Sequence, residues 1–181
     1  MSNLHEQTII IAGRDDRLII SPLVESDRDD YVSRRWHNRV PLMAAGFPGG
    51  SESRNFLHKL FDDELTGITN GECHDAIRRN DQLIGQVGLF EQGLGEGITE
   101  PTLDIWVDRG YYRRRIAKSV VCALVSAAFD ADATMRHVRM VIGARNVPSK
   151  QLFAKVGAVQ EEMDETGENE VWRLYRGKLH S

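Results

Sequence analysis

Between positions 109 and 118 the chain sets Arg109, Arg113, Arg114, Arg115 and Lys118 with no acid among them. The stretch YYRRRIAKS (111–119) runs straight into IAKSVVCALVSAAF (116–129), an apolar pattern that reads as a buried helix. The N-terminal end of a helix carries about half a positive charge, so cations crowded there are disfavoured unless an anion lies between them. Anion binding is the chemistry these residues suggest; a solvated basic loop is the plain alternative. Other reactive residue types are scattered. The six histidines (His5, His37, His58, His74, His137 and His180) show neither an HxxxH nor an HExxH spacing, so no protein-bound metal is expected. Cys73 and Cys122 have no CxxC spacing. A disulfide is therefore not expected, a reducing cytoplasm fits, and both thiols read as buried and inert.

The elements that position these residues belong to a chain of ordinary globular character. Its 181 residues suit a single domain spanning 1–181, long enough to bury about 70% of the unfolded surface. The net charge of −4 argues against a nucleic-acid partner, so any phosphate site must be local. The opening MSNLHEQTIIIAG holds an apolar run of only four residues, too short for a secretory core. No run of about 18 apolar residues occurs, so no membrane span or membrane partner is expected.

Hydrophobic periodicity divides the chain into alternating elements. RLIISPLV (17–24) is the first clear strand. A helix follows in ESDRDDYVSRRW, with Ser26 or Asp27 as cap and Tyr31, Val32 and Trp36 on one face. NRVPLMAAGFPGG is a loop, and SESRNFLHKLFDDEL is a helix with Ser51 or Ser53 as cap and Phe56, Leu57, Leu60 and Phe61 at helical spacing. CHDAIRR and QLIGQVGLFE flank a hairpin turn at Asn80–Asp81, and TLDIWV (102–107) is a short strand. The long helix spans about 115–130, buried through Ile116, Val120, Val121, Leu124, Val125 and Ala128. RHVRMVIGA (136–144) is a central strand, and VPSKQLFAKVG is a helix started by Pro148 and stopped by Gly157. AVQEEM and EVWRLYRGK close the chain as a hairpin. The order β-α-α-β-β-β-α-β-α-β-β implies an α+β (mixed α/β) fold with one mixed sheet and helices packed on it.

Two blocks resemble a known family. The long helix preceded by WVDRGYYRRRIAKSVV, and the segment ARNVPSKQLFAKVGAVQEEM, are similar to the cofactor-binding blocks of the GNAT acetyltransferase superfamily. RLIISPLVESDRDDY and LIGQVGL resemble its ribosomal-protein N-terminal acetyltransferase subgroup, which itself resembles polyamine and antibiotic acetyltransferases. The resemblance covers about residues 17–178. It implies a central mixed sheet in which two parallel strands, near 102–107 and 137–143, splay apart. It also implies direct transfer of an acetyl group from acetyl-CoA, as co-substrate, to a primary amine. A small-molecule amine and a protein N-terminus remain alternative acceptors, and a homodimer remains open. The family's pyrophosphate loop reads Arg/Gln-x-x-Gly-x-Gly/Ala. Here Tyr112 stands at the first position, Arg115 where glycine is usual, and Ala117 at the last, so the loop is degenerate across Tyr112, Arg113, Arg114, Arg115, Ile116 and Ala117. The alternative to catalysis is a GNAT-fold module that binds CoA or serves as an interaction surface.

The chemistry the resemblance implies needs few groups. A base or a water chain must take a proton from the amine, and donors must stabilise the oxyanion that develops on the thioester. By resemblance the backbone of Ile105, Trp106 and Val107 contacts the cofactor and Asn146 binds the pantetheine arm. Ser149 is then a candidate to give a proton to the leaving thiolate, with water as the alternative donor. Many relatives carry a tyrosine seven residues after that asparagine; here it is Phe153, which cannot donate. The general base is left between Asp104 and Glu91, the latter expected at the end of its strand. The final hairpin carries Glu161, Glu162, Asp164, Glu165, Glu168 and Glu170 with no base between them. It is either an acidic rim that attracts a cationic amine or a solvated tip.

Overall fold

The computed structural model describes residues 8–12, 17–38, 54–70, 72–95, 97–164 and 166–180. Among these residues the strands are β1 (Ile9–Ala12), β2 (Arg17–Pro22), β3 (Cys73–Arg79), β4 (Gln82–Gly95), β5 (Ile98–Val107), β6 (His137–Gly143), β7 (Val159–Met163) and β8 (Asn169–Tyr175). The helices are α1 (Arg28–His37), α2 (Arg54–Thr69), α3 (Ile116–Ala131) and α4 (Val147–Val156). They form one mixed sheet, in the order β1-β2-β3-β4-β5-β6-β8-β7, with helices on both faces. Every neighbouring pair is antiparallel except β5 and β6.

Strand alternation decides which residues meet which helices. On one face Val87, Leu89, Leu103, Val107, Val138 and Met140 bury against α3 and α4. Val120, Val121, Leu124, Val125 and Ala128 of α3 are completely buried there. Each such Val or Leu contributes about 1.5–3 kcal/mol relative to exposure. The far end of α3 is closed by Arg176, whose Nη2 donates to the Phe129 and Asp132 carbonyls, both at 2.5 Å. On the other face Ala76 and Leu83 pack with Tyr31, Val32, Leu57 and Phe61 of α1 and α2.

Three expectations from the sequence need correction. β1 precedes the first expected strand: Ile9, Ile10, Ile11 and Ala12 add an edge to β2. Four residues give too few alternations to read alone, and pairing supplies the order. β4 and β5 extend past their expected ends to Gly95 and from Ile98, so Glu91 lies within β4, opposite Pro101. Asp27 does not cap α1 with its side chain. It accepts from the Val24 amide at 2.9 Å and takes both Arg78 terminal nitrogens at 2.6 Å, which pins the start of α1 to β3. The loop expected at 38–50 beyond Asn38, and the caps Ser51 and Ser53, lie outside the described residues.

Candidate active site

β5 and β6 run parallel, with Thr102 opposite Arg139 as their one register pair. Beyond it β5 remains laddered to β4 as far as Val107, while its β6 side carries no pairing from residue 103 onward. Backbone groups of Ile105, Trp106 and Val107 therefore border a wedge that widens toward the C-terminal ends of both strands. Because the strands are parallel, the segments leaving them emerge at the same end: 108–115 leads into α3 and 144–146 into α4. That crevice, outside the carboxyl ends of parallel strands, is where open α/β sheets take their ligands.

The basic loop has an unusual backbone. Arg113 and Arg115 have φ of 62° and 61°, both left-handed, with Arg114 between them on the ordinary side. Arg115 thus adopts the conformation a glycine would take; the backbone is not rerouted around it. Alternating handedness turns successive N–H groups toward one concavity, a shape that binds anions. Arg115 is also the N-cap of α3 and supplies no side-chain cap, leaving first-turn amides for an outside acceptor. Arg113, Arg114 and Arg115 are exposed and make no ion pair with the described residues; Arg114 lies over the Tyr111 ring at 5.4 Å. Tyr112 is extended and exposed. Ile116 is buried in the core and Ala117 is packed at its margin, so only their amides are available to the crevice. Side chain and backbone pull in opposite directions at Arg115, because a left-handed residue other than glycine costs about 1–2 kcal/mol. Arg115→Gly is expected to raise the thermal midpoint by about 1–2 °C after allowing for glycine's greater unfolded entropy. A lower midpoint in calorimetry would show that the arginine side chain holds the loop.

Across the crevice, Asn146 is the N-cap of α4, and its Oδ1 accepts from the Ser149 amide at 3.3 Å. Its Nδ2 has no partner among the described residues, and neither does the Ser149 hydroxyl; both residues are half-buried. Asn146 is therefore a cap with a spare donor. Phe153 is buried in the core with Val156, so that position supplies no hydroxyl to the crevice.

Asp104 and Glu91 are not brought together. Asp104 pairs with Gly88 and shares its face with Trp106 and Gln86, toward α1 and α2, whereas Glu91 shares parity with Leu89 and Leu103 and is exposed. A Cβ on Gly88 would come 2.3 Å from Asp104 Oδ1 and 3.2 Å from His74 Nδ1, so the carboxylate fills the space that glycine leaves. Around it lies a buried polar cluster invisible to sequence spacing. The Tyr31 hydroxyl bonds Glu64 Oε1 at 2.8 Å, and Arg35 Nη1 reaches the same oxygen at 3.3 Å and also bonds the tyrosine oxygen. Trp106 meets the Tyr31 ring edge-on, with centroids 5.7 Å apart, and Arg35 lies over Trp106. Asp104 Oδ1, Glu64 Oε2, Gln86 Oε1, Trp106 Nε1 and Arg35 Nε are buried without a hydrogen-bond partner. Burial pushes Glu64 up to about 7, against the opposing pull of Arg35. The faint sequence signal was Glu64 itself, an acid on the Leu57–Phe61 face of its helix.

The acidic hairpin is not an open rim. Glu161 and Glu162 are held by Arg173 at 2.6 and 2.7 Å, and Glu170 by Lys150 at 2.9 Å. Asp164 accepts from Thr166, Glu168 and Asn169 within the turn, which lowers it to about 2. Glu165 lies outside the described residues. Cys73 is buried, and burial raises its thiol strongly; Cys122 is only half-buried, beside the His180 carbonyl. Among the described residues no cluster of three His, Cys, Asp or Glu side chains forms a metal site, and no helix is long and apolar enough to cross a membrane.

The comparisons with known proteins show the family and the fold. The family model described as Acetyltransferase (GNAT) domain matches residues 17–159. A search of curated proteins gives no match. Among solved structures, Mycobacterium smegmatis RimJ in complex with CoA-disulfide aligns with a TM-score of 0.79 at 12% identity, covering 98% of this chain and 91% of that one. The RimL ribosomal alpha-N-protein acetyltransferase in an apo crystal form aligns at 0.74 and 13% identity, covering 94% and 96%. Vibrio cholerae spermidine N-acetyltransferase in complex with CoA and spermine aligns at 0.67 and 18% identity, covering 89% and 96%. At these identities the likeness is one of fold.

Proposed function

The chain belongs to the GNAT acetyltransferase family, and from that premise we propose that it moves an acetyl group from acetyl-CoA directly to a primary amine. The observation that carries the reading is the wedge between β5 and β6: an anion-shaped loop opens on it from one strand end and a capped helix start from the other. A similar fold holds a CoA-disulfide in RimJ, and CoA with spermine in the spermidine enzyme. The amides from Arg114 to Ala117 and at least one arginine side chain take the diphosphate. Backbone groups of Ile105, Trp106 and Val107, with the Asn146 Nδ2, hold the pantetheine arm. Acetyl-CoA supplies a thioester carbon open to attack by a neutral amine. Asp104 takes the amine's proton from the α1–α2 side, and Ser149 gives one toward the thiolate from α4. A small amine and a protein N-terminus both meet this chemistry. The proposal includes a cytoplasmic setting, which suits the free thiols of Cys73 and Cys122.

The test is acetyl-CoA titration of Arg113→Ala, Arg114→Ala and Arg115→Ala at low and moderate salt, together with CoA release against an amine panel. Loss of one charge-assisted contact costs about 1.5–3 kcal/mol, tenfold or more in affinity. At least one variant is expected to show that loss, and parental affinity is expected to weaken as salt rises. No CoA binding by the parent at millimolar concentration would remove the reading; binding without CoA release to any amine would leave a non-catalytic CoA module.

A further inference from the structure

The loop that delivers α3 to the wedge holds a costly backbone: Arg113 and Arg115 are both left-handed and neither is glycine. Such a conformation persists only where the surroundings over-determine it. After Arg115 the core position of Ile116 anchors the chain, and before Arg109 the Asp108 amide donates to the Ile84 carbonyl at 2.8 Å. The turn between them is closed by Asp108, whose Oδ1 accepts from the Gly110 amide at 2.9 Å. Its other oxygen, Oδ2, accepts from Arg34 Nη1 of α1 at 2.7 Å. One residue past α1, Asn38 reaches the same turn. Its Oδ1 accepts from the Arg109 amide at 2.8 Å, and its Nδ2 donates to the Arg34 carbonyl at 2.6 Å. Asn38 is only 5% exposed, although it ends a helix. Its amide spends the acceptor on the loop and the donor on the helix end, and so joins segments 71 residues apart.

Resting on the acetyl-CoA reading above, we infer that Asn38, assisted by Arg34, is a positioning residue for the cofactor loop. The end of α1 holds residues 108–110 so that the amides from Arg114 to Ala117 wait in the shape a diphosphate needs. The role lies in the acceptor half of Asn38. Without it the Arg109 amide loses its partner, the turn moves among other conformations, and only a fraction of the molecules offers the assembled loop. Apparent affinity falls by that fraction. Once acetyl-CoA is bound the loop is assembled again, so the loss belongs to KM and not to kcat. The donor half of Asn38 does something else. It satisfies a carbonyl at the open end of α1, alongside the Asn38 backbone amide, which gives to the same oxygen at 3.0 Å. Substitution separates the two jobs, because aspartate at neutral pH keeps an acceptor for Arg109 and has no proton for the Arg34 carbonyl.

The experiment compares Asn38→Ala and Asn38→Asp in the full chain at neutral pH. The readouts are calorimetric titration with acetyl-CoA, steady-state CoA release, and hydrogen exchange of the segment 108–115 without ligand. Asn38→Ala is expected to bind acetyl-CoA about five- to tenfold more weakly, the loss of one hydrogen bond, with kcat unchanged and faster exchange across 108–115. Asn38→Asp is expected to lose thermal stability as the alanine variant does, yet to keep acetyl-CoA affinity within about twofold of the parent and to exchange like it. Equal weakening by both variants makes Asn38 a helix cap and overturns the inference, as does parental affinity in Asn38→Ala. If either variant does not fold, Arg34→Met decides. It removes the fork that holds Asp108 and is expected to weaken acetyl-CoA about three- to fivefold at unchanged kcat; parental affinity there overturns the inference. If the parent binds no acetyl-CoA, the transfer reading falls and exchange across 108–115 still decides the positioning: faster exchange in Asn38→Ala alone keeps it, and equal exchange in both variants removes it.

Discussion

Asp104→Asn is expected to lower kcat for amine acetylation by about 10²–10⁴-fold, the range a positioned general base contributes, with acetyl-CoA affinity unchanged. The separation follows from strand parity. Asp104 points toward α1 and α2, away from the α3 face and from the left-handed arginine loop, and asparagine preserves its volume. Gly88→Ala is the companion test. Its new Cβ would sit 2.3 Å from Asp104 Oδ1, the far end of a side chain that can yield, so the protein folds with the carboxylate displaced. A displacement of about 1 Å can cost a hundredfold in rate. Both effects are read from steady-state CoA release beside an acetyl-CoA titration. If Asp104→Asn retains kcat within about threefold, the proton leaves by water instead, and Asp104 is a charge that only attracts the amine.

Gly157→Ala is expected to destabilise the fold by about 3 kcal/mol, a fall of about 6–12 °C in the thermal midpoint. Gly157 closes α4 with φ of 98°. The C-terminal tail crosses directly above it. A Cβ would meet the Lys178 carbonyl oxygen at 2.0 Å and its carbon at 3.1 Å, and backbone atoms there cannot rotate aside. Moving the tail breaks the bond from the His180 amide to the Val156 carbonyl and unseats Leu179 from the core. Gly167→Ala separates conformation from contact. It shares a positive φ, 70°, but nothing lies within 4 Å of its Cβ position, so it is expected to lose only about 1 kcal/mol. Equal losses in calorimetry would mean that the tail gives way freely and that only backbone strain is measured.

Local pattern made much of this legible. The apolar face of α3 is continuous enough to identify from Ile116, Val120, Val121, Leu124, Val125 and Ala128, because helical spacing is a local property. Pro148 and Gly157 bound α4 for the same reason, each acting through its own φ. β1 was not legible, since four residues become a strand only through the partner beside them. Nor was the extent of β4 and β5. Residues 91–95 and 98–101 are rich in Gly and polar side chains, and cross-strand hydrogen bonds override that weak preference.

By itself, the sequence determined the class of fold, the family likeness, and the positions of the basic loop and of Asn146 and Ser149, because each is written in adjacent residues. Only the tertiary structure separated the two candidate carboxylates. Asp104 and Glu91 look alike in sequence, and strand parity puts them on opposite faces of the sheet. It also decided that Arg115 takes a glycine's conformation, since φ depends on the turn that delivers α3 to the wedge. In sequence the charges of the final hairpin are either an open rim or a solvated tip, and only the fold places Arg173 and Lys150, from β8 and α4, against them. Glu64 stands 40 residues before Asp104, and no spacing rule relates them. Their charges act on each other because α2 packs on the face that Asp104 and Trp106 present, and a pairing of that kind exists only once the sheet and its helices are assembled.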